Sequence, residues 1–355
     1  MKNKVLMALV MAVTSMSLMA CGNDIIVDVV SHDASGQSVV ATENTGAAAA
    51  VEEKESNKEA SAETVKEEPS TVNDVNPAGM KTISKEDLKI GVLYIGGEED
   101  TSGYTYAHEI GIQGMISNIG INSSQVIRKN FIDDGNETAI KTAMDECIND
   151  GCNVIIGTSW GYMEYMAEYA EKYPDIYFTH GTGYMSNGKN FTNYFGRIYQ
   201  VRYLSGLVAG MKTKTNNIGY VSAQGKGNSE CSGGIDAFAM GVEAVNPDAT
   251  VYVAVTDSWY DPEAEQKASD YLISINCDVL AQHVDTTAPQ TASEANGTWS
   301  IGYNSDMSKE TPNATLTSVI WNWSAYYTSY INSITNASYD GKDYYVSNLD
   351  DLLGG

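Results

Sequence analysis

The sequence predicts an α/β protein built from two doubly wound lobes with a ligand cleft between them. Three observations carry this. From residue 89 onward, short apolar runs of strand character alternate with amphipathic helical stretches, which implies parallel sheets covered by helices on both faces. The alternation pauses near residue 180 and resumes near 198, so the unit occurs twice. In both halves the strands end in aromatic and polar residues, and such folds bind ligands just beyond the carboxyl ends of their strands. A chain of 355 residues is long enough for two lobes.

Before the first unit comes a different texture. Lys2 and Lys4 precede an apolar run over 5–13, then Thr14-Ser-Met-Ser-Leu-Met-Ala-Cys21. A positive start and a short apolar stretch form a secretory signal, too short to span a membrane. Leu18-Met-Ala-Cys21 resembles the lipobox of bacterial lipoproteins. Residues 1–20 are therefore read as a signal peptide and Cys21 as a lipidated residue that anchors the chain by acyl chains. Residues 21–86 are read as a disordered acidic linker. Its acids include Glu52, Glu53, Glu55, Glu67 and Glu68, and it has no aromatic residue with which to build a core.

The first unit opens with a buried strand over 89–95, an acidic Gly-containing turn and a helix over 104–117. A strand over 125–131 follows, then a helix over 136–149 with Ala139, Ala143, Cys147 and Ile148 on one side. The third strand spans 154–159. The next helix, 162–173, carries Tyr162, Met166, Tyr169 and Tyr173 along one stripe and stops at Pro174. The fourth strand is 176–180. The second unit reads as a helix over 198–212, a strand over 217–222 and a helix over 234–245. Then come a strand over 251–258, a helix over 263–275, a strand over 278–283, a helix over 287–296 and a strand over 299–303. Asp261 before Pro262 is placed to cap the helix at 263.

Strand ends carry the functional signal. Ser102, Tyr104 and Tyr106 follow the first strand, Ser159, Trp160 and Tyr162 the third, and Thr182 and Tyr184 the fourth. In the second unit the ends supply Glu230, Trp259, Tyr260, Asp285, Asn304 and Asp306. Tyr104, Trp160, Tyr184, Glu230, Trp259, Asp285, Asn304 and Asp306 are the candidate ligand-binding residues. Rings offer stacking faces, and carboxylates and amides accept N–H donors, which suits a flat polar ligand. Basic residues do not recur at these ends, which disfavours a phosphorylated one.

Composition excludes other classes. The formal charge of −25 argues against nucleic acid as a partner. There are 23 tyrosines against 5 phenylalanines, and tyrosine suits polar, wet clefts. His32, His108, His180 and His283 are scattered without metal-ligand spacing, so no metal is expected. Asp133-Asp-Gly-Asn136 is a fragment of a calcium loop and reads as a turn and helix cap. No P-loop or dinucleotide fingerprint is present, and no cofactor is expected. Cys147, Cys152, Cys231 and Cys277 read as buried free thiols, and their spacing assigns no disulfide.

One motif competes. Gly157-Thr-Ser-Trp-Gly161 matches the G-x-S-x-G nucleophile elbow at a strand–turn–helix junction, and His180-Gly-Thr-Gly183 resembles an oxyanion loop. In hydrolases that loop precedes the nucleophile, and here it follows. The one late histidine, His283, lies in the other lobe. A serine hydrolase using Ser159 therefore stands as the alternative from a different class.

Several stretches match a known family in order. They are Gly157-Thr-Ser-Trp-Gly-Tyr-Met163, His180-Gly-Thr-Gly-Tyr184 and Tyr194-Phe-Gly-Arg-Ile-Tyr-Gln-Val-Arg-Tyr203. Further on come Gly241-Val-Glu-Ala-Val-Asn-Pro-Asp248, Asp257-Ser-Trp-Tyr-Asp-Pro262, Gln282-His-Val-Asp285 and Gly302-Tyr-Asn-Ser-Asp-Met307. From 90 to about 327 the chain resembles the basic membrane protein family of ABC-transporter substrate-binding lipoproteins, the purine nucleoside receptor group. The segment 224–234 departs from that family in lacking a proline.

The resemblance implies a non-enzymatic receptor of the type I periplasmic-binding-protein fold. Its two lobes are joined by three crossovers and close on the ligand by hinge motion. The N-terminal lobe would be 87–194 plus about 318–338, and the C-terminal lobe 195–317 plus about 339–355. Tyr104, Trp160 and Trp259 become stacking residues, with Asp285, Asp306 and Glu230 as partners of the base. Arg197 and Arg202 become structural or interlobe residues. The implied ligand is a purine base, adenine-like, or a purine nucleoside, and the implied partners are ABC permease subunits. A ligand sensor of the same fold is the alternative within the class.

Overall fold

The protein is described from a computed structural model covering residues 26–32, 38–39 and 75–345. Two short strands come first, Ile26–His32 (β1) and Ser38–Val39 (β2). The N-terminal lobe follows with β3 (Ile90–Leu93), α1 (Gly103–Ile119), β4 (Val126–Lys129) and α2 (Glu137–Asn149). It continues with β5 (Val154–Gly157), α3 (Met163–Lys172), β6 (Tyr177–Gly181) and β7 (Phe191–Phe195). The C-terminal lobe runs through α4 (Ile198–Lys212), β8 (Asn217–Ser222), α5 (Ser229–Val245), β9 (Thr250–Val255) and α6 (Pro262–Ser274). Then come β10 (Val279–His283), α7 (Ala288–Asn296), β11 (Trp299–Asn304) and β12 (Thr315–Ile320). The chain ends its described course with α8 (Trp323–Thr335) and β13 (Tyr344–Tyr345).

The first sheet has the order β13-β7-β6-β5-β3-β4, and its pairs are parallel. The second has the order β12-β11-β10-β8-β9-β1-β2. There the strands from β12 to β9 are parallel, while β1 lies antiparallel on β9 with Ile26 opposite Val255. β3, β5, β6 and β10 are buried along their whole length, as strands covered by helices on both faces must be. The predicted α/β two-lobe fold is present.

Local chemistry sets the helix starts that matter for the cleft. Asp261 accepts from the Glu263 and Ala264 amides with Pro262 in the first turn, so β9 hands over directly to α6. Asn228 caps α5 through the Cys231 amide, and this starts the helix at Ser229, five residues before the predicted start. α4 and α5 pack at close range because Gly206 and Gly241 face each other. A Cβ at either would fall 2.1 Å from a carbonyl oxygen of the other helix. That approach fixes Arg202 and Glu230 over the same end of the second sheet.

Three assignments change. The linker read as disordered contains β1, because Ile26-Val-Asp-Val-Val30 is a β-branched run able to pair with the free edge of β9. Within the same linker, Met80 and Ile83 are buried in the core of the N-terminal lobe, so that lobe begins before 87. The sequence resemblance places the segment after 339 in the C-terminal lobe. Its described part belongs to the N-terminal lobe, where β13 pairs with β7 and the Tyr339 ring meets Tyr177 edge-on at 4.9 Å. Residues 318–320 lie in β12 of the C-terminal lobe, so the change of lobe falls at 320–323, and the other falls at 195–198. Two crossovers occur among the described residues. The signal peptide and Cys21 lie outside them.

Candidate functional site

The lobes meet at the N-terminus of α1. Gly103 has φ +82, and a Cβ there would lie 2.7 Å from the Asp285 carbonyl oxygen of the other lobe. The next residue, Tyr104, donates its hydroxyl to the Thr158 carbonyl and packs edge-on against His108 at 4.4 Å. Burial raises the Tyr104 phenol well above its ordinary value, and Tyr194, Glu230 and Asp285 add to it. Glu230 and Asp285 belong to the opposite lobe, so Tyr104 shares one electrostatic environment with them.

On the C-terminal lobe the ends of β9, β10 and β11 converge. The Asp285 amide donates to the Trp259 carbonyl at 2.8 Å, tying the two strand-end loops together. Asn304, in a left-handed conformation (φ 66) that asparagine tolerates, donates its Nδ2 to Asp285 Oδ1 at 2.7 Å. Asp285 is 9% exposed, and burial pushes its carboxyl up to about 8, with Glu265 and Glu230 adding repulsion. Glu230 accepts from Tyr303 at 3.2 Å and from His283 Nε2 at 3.3 Å. Trp259 is half-buried and meets His283 edge-on at 5.6 Å.

An aromatic belt runs beneath this cluster. His108 stacks on Trp323 at 4.7 Å, Trp323 on Trp321 at 4.4 Å, and Trp321 reaches Tyr303, whose hydroxyl accepts from Trp321 Nε1. Tyr303 meets His283 at 4.8 Å, which closes the path to Trp259. The belt crosses between the lobes at 321–323, where the chain itself changes lobe. His108 is held well below the ordinary imidazole value, at about 3, by burial, and its Nδ1 meets Tyr327 at 2.6 Å.

The structure thus gathers Tyr104, Glu230, Trp259, Asp285 and Asn304. It does not gather the other three candidates. Trp160 and Tyr184 stand 55% and 69% exposed at strand ends of the N-terminal lobe, outside the contact between the lobes. Asp306 is exposed, and Ser308 holds its carboxyl low, first through the side-chain hydroxyl and then through its amide, which donates at 3.0 Å; it is a turn residue. Sequence reasoning did not list Trp321 and Trp323. They follow the end of β12, and the rule of aromatics at strand ends would have found them had Thr315–Ile320 been read as a strand.

The elbow serine is part of a turn. Ser159 hydrogen-bonds the Asp134 carboxylate and its Oγ accepts from the Gly161 amide. His180 is engaged with the Met185 carbonyl and stacks on Phe191. The four cysteines of the lobes are free and buried. A groove of about 510 Å³ lies between α4 and β12, lined by Val201, Leu204, Val208 and Ile320 among others. It contains none of the charged groups of the cleft.

A family model of PnrA-like ABC transporter substrate-binding proteins matches residues 88–349. The chain belongs to this family. It is a family of substrate-binding proteins, not of enzymes, which removes the hydrolase alternative. A Brucella abortus purine-binding protein is 31% identical over 261 residues, covering 73% of this chain and 72% of the relative. Haloferax volcanii TsgA13, named for ABC transporter glucose binding, is 39% identical over 193 residues. That match spans 54% of this chain and about half (49%) of the relative's length.

Solved structures share the fold. A transcriptional activator of the comK gene from Bacillus halodurans superposes with a TM-score of 0.63 at 21% identity, covering 72% of this chain and 86% of that one. An Actinobacillus succinogenes periplasmic solute-binding protein with bound D-allose gives 0.57 at 14%, covering 73% and 96%. The PnrA-like assignment agrees with the two-lobe architecture and with a cleft built from strand ends. Among the described residues no helix is long and apolar enough to cross a membrane.

Proposed function

We propose that this PnrA-like protein is an extracytoplasmic receptor, anchored through lipidated Cys21, that captures a purine base or nucleoside and presents it to an ABC permease. The observation that carries the ligand class is the cluster Tyr104, Trp259, Glu230, Asp285 and Asn304. It combines ring faces with groups that can read a base edge. A carboxyl held neutral near pH 7 offers one O–H donor and one acceptor, as an amide does. Asp285, raised to about 8 and already fed by Asn304, can meet a purine's paired ring nitrogen and exocyclic amine in that way. Glu230 can take a second N–H. The Brucella relative, named as purine-binding, supports the same class.

Capture would proceed by stacking on Trp259, hydrogen bonding to Asp285 and Glu230, and closure of α1 over the ligand about 195–198 and 320–323. The Haloferax relative favours a second reading, a hexose, since carboxylates beside an aromatic face also suit a sugar. Calorimetric titration with adenine, adenosine and glucose separates them. Saturable one-to-one binding of a purine is expected. Binding of glucose with no response to either purine would overturn the proposal.

A further inference from the structure

Arg202 is fully buried beneath the ligand cluster, and among the described residues it makes no salt bridge. Its Nη1 donates to the Gln282 carbonyl at 2.5 Å, while Nε and Nη2 have no hydrogen-bond partner among the described residues. The guanidinium lies over the Tyr303 ring at 4.3 Å and near the Tyr220 ring at 5.7 Å. An uncompensated buried cation is costly, so its retention beside the site calls for a role. The tyrosine rings offset part of that cost.

Its charge is felt by Tyr220 on β8, Cys231 on α5, His283 on β10 and Tyr303 on β11, and these in turn neighbour the carboxyl groups of Glu230 on α5 and Asp285 just after β10. His283 is wholly buried between Tyr220 and Glu230. Because a carboxylate only accepts, His283 Nε2 carries the proton toward Glu230, and Nδ1 accepts from the Tyr220 hydroxyl. This is the neutral tautomer with both nitrogens satisfied. The donors from Tyr303 and His283 both reach Glu230 Oε1.

We propose that Arg202 is a positioning residue of the binding site: its buried cation keeps His283 uncharged, so that Glu230 directs its negative charge to a ligand donor instead of closing into an ion pair with His283. This rests on the cleft reading above. Burial first, and then the Arg202 charge, hold the imidazole down at about 4, while Glu230 pulls the other way. Without the cation, Glu230 and the imidazole can form a charge-assisted pair within the protein, and the ligand's N–H would have to displace it.

The test follows the histidine directly. NMR of the full chain across pH, with no ligand added, reads the protonation and tautomer of His283 in wild type, Arg202→Met and Arg202→Lys. Wild type and Arg202→Lys are expected to keep a neutral, Nε2-protonated ring at pH 6. Folded Arg202→Met is expected to titrate this ring at a higher pH than wild type does, though still below the ordinary value because burial remains. Its affinity for adenine should then weaken on lowering the pH from 8 to 6, with a steeper slope than wild type. A folded Arg202→Met in which His283 titrates at the same pH as in wild type overturns the proposal. If that variant does not fold, a charged His283 at pH 6 in wild type or Arg202→Lys overturns it equally. Failure of the wild type to bind adenine or adenosine would sink the purine reading alone, because the histidine titration needs no ligand.

Discussion

Adding one methyl group at the lobe contact should weaken ligand binding without touching any ligand-binding side chain. The variant is Gly103→Ala. A Cβ there would fall 2.7 Å from the Asp285 carbonyl oxygen, and backbone cannot rotate away as a side chain could. Two costs arise. The left-handed φ of +82 penalises alanine by about 1–2 kcal/mol whether the cleft is open or closed. The clash exists only when α1 meets the 285 loop, and overpacking of this kind costs about 1–3 kcal/mol. Only the second term separates the two states, and a ligand that needs the closed state loses affinity by that amount. At about 1.4 kcal/mol per tenfold, the expected loss is about 5- to 150-fold. Calorimetry gives the affinity, and small-angle scattering with and without ligand gives the compaction. Wild-type affinity and wild-type compaction in a folded Gly103→Ala would refute the claim that ligand-bound closure brings α1 onto the 285 loop.

Further expectations follow from the same geometry. Trp259→Ala should cost purine affinity about 1–3 kcal/mol, by analogy with base–aromatic stacking, read by the same titration; unchanged affinity would remove the ring from the site. Ser159→Ala should cost about 1 kcal/mol of stability through the lost turn bonds, measured by denaturant unfolding, and leave ligand affinity as it was. The pH profile of stability follows from opposing groups. His108 and His283 titrate at about 3 and 4 when folded and near 6.5 when unfolded, so they cost stability as pH falls below 6.5. Glu265 and Asp285, raised by burial to about 7 and 8, hold protons that the unfolded chain releases near 4, so they cost stability as pH rises through 4 to 8. The two sets oppose each other between about 4 and 6.5. Above that range only the carboxyls act, and the melting temperature should fall between pH 6.5 and 8, equivalent to about 2 kcal/mol. A melting temperature that rises over that interval would contradict the buried carboxyl assignments.

The lobes were legible because strand and helix periods differ and because the alternation occurs twice. Strands with continuous apolar runs, such as 154–157 and 279–283, were read within a residue or two. β7 was not, since Phe191-Thr-Asn-Tyr-Phe195 mixes polar and aromatic residues and follows a turn-rich stretch. β1 was missed because the composition of 21–86 as a whole outweighed a five-residue run inside it. The strand-end rule found Tyr104, Glu230, Trp259, Asp285 and Asn304. It could not tell that Trp160 and Tyr184 stand exposed, because alternation gives a residue's place along a strand and not the distance to the facing lobe. Asp306 shows the same gap at shorter range, two residues past Asn304 and already in a turn. Trp321 and Trp323 went unlisted because Thr315–Ile320 was not read as a strand, whereas the pairing of Arg202 with Tyr303 depends on a contact between distant segments, for which local sequence carries no period.

The most direct test of the cleft is titration of the full chain with adenine and adenosine, in wild type and in Trp259→Ala. Saturable one-to-one binding of a purine to the wild type, weakened at least several-fold in the variant, is the predicted result. Purine binding that is indifferent to Trp259, or a wild type that responds to glucose and to neither purine, would contradict it.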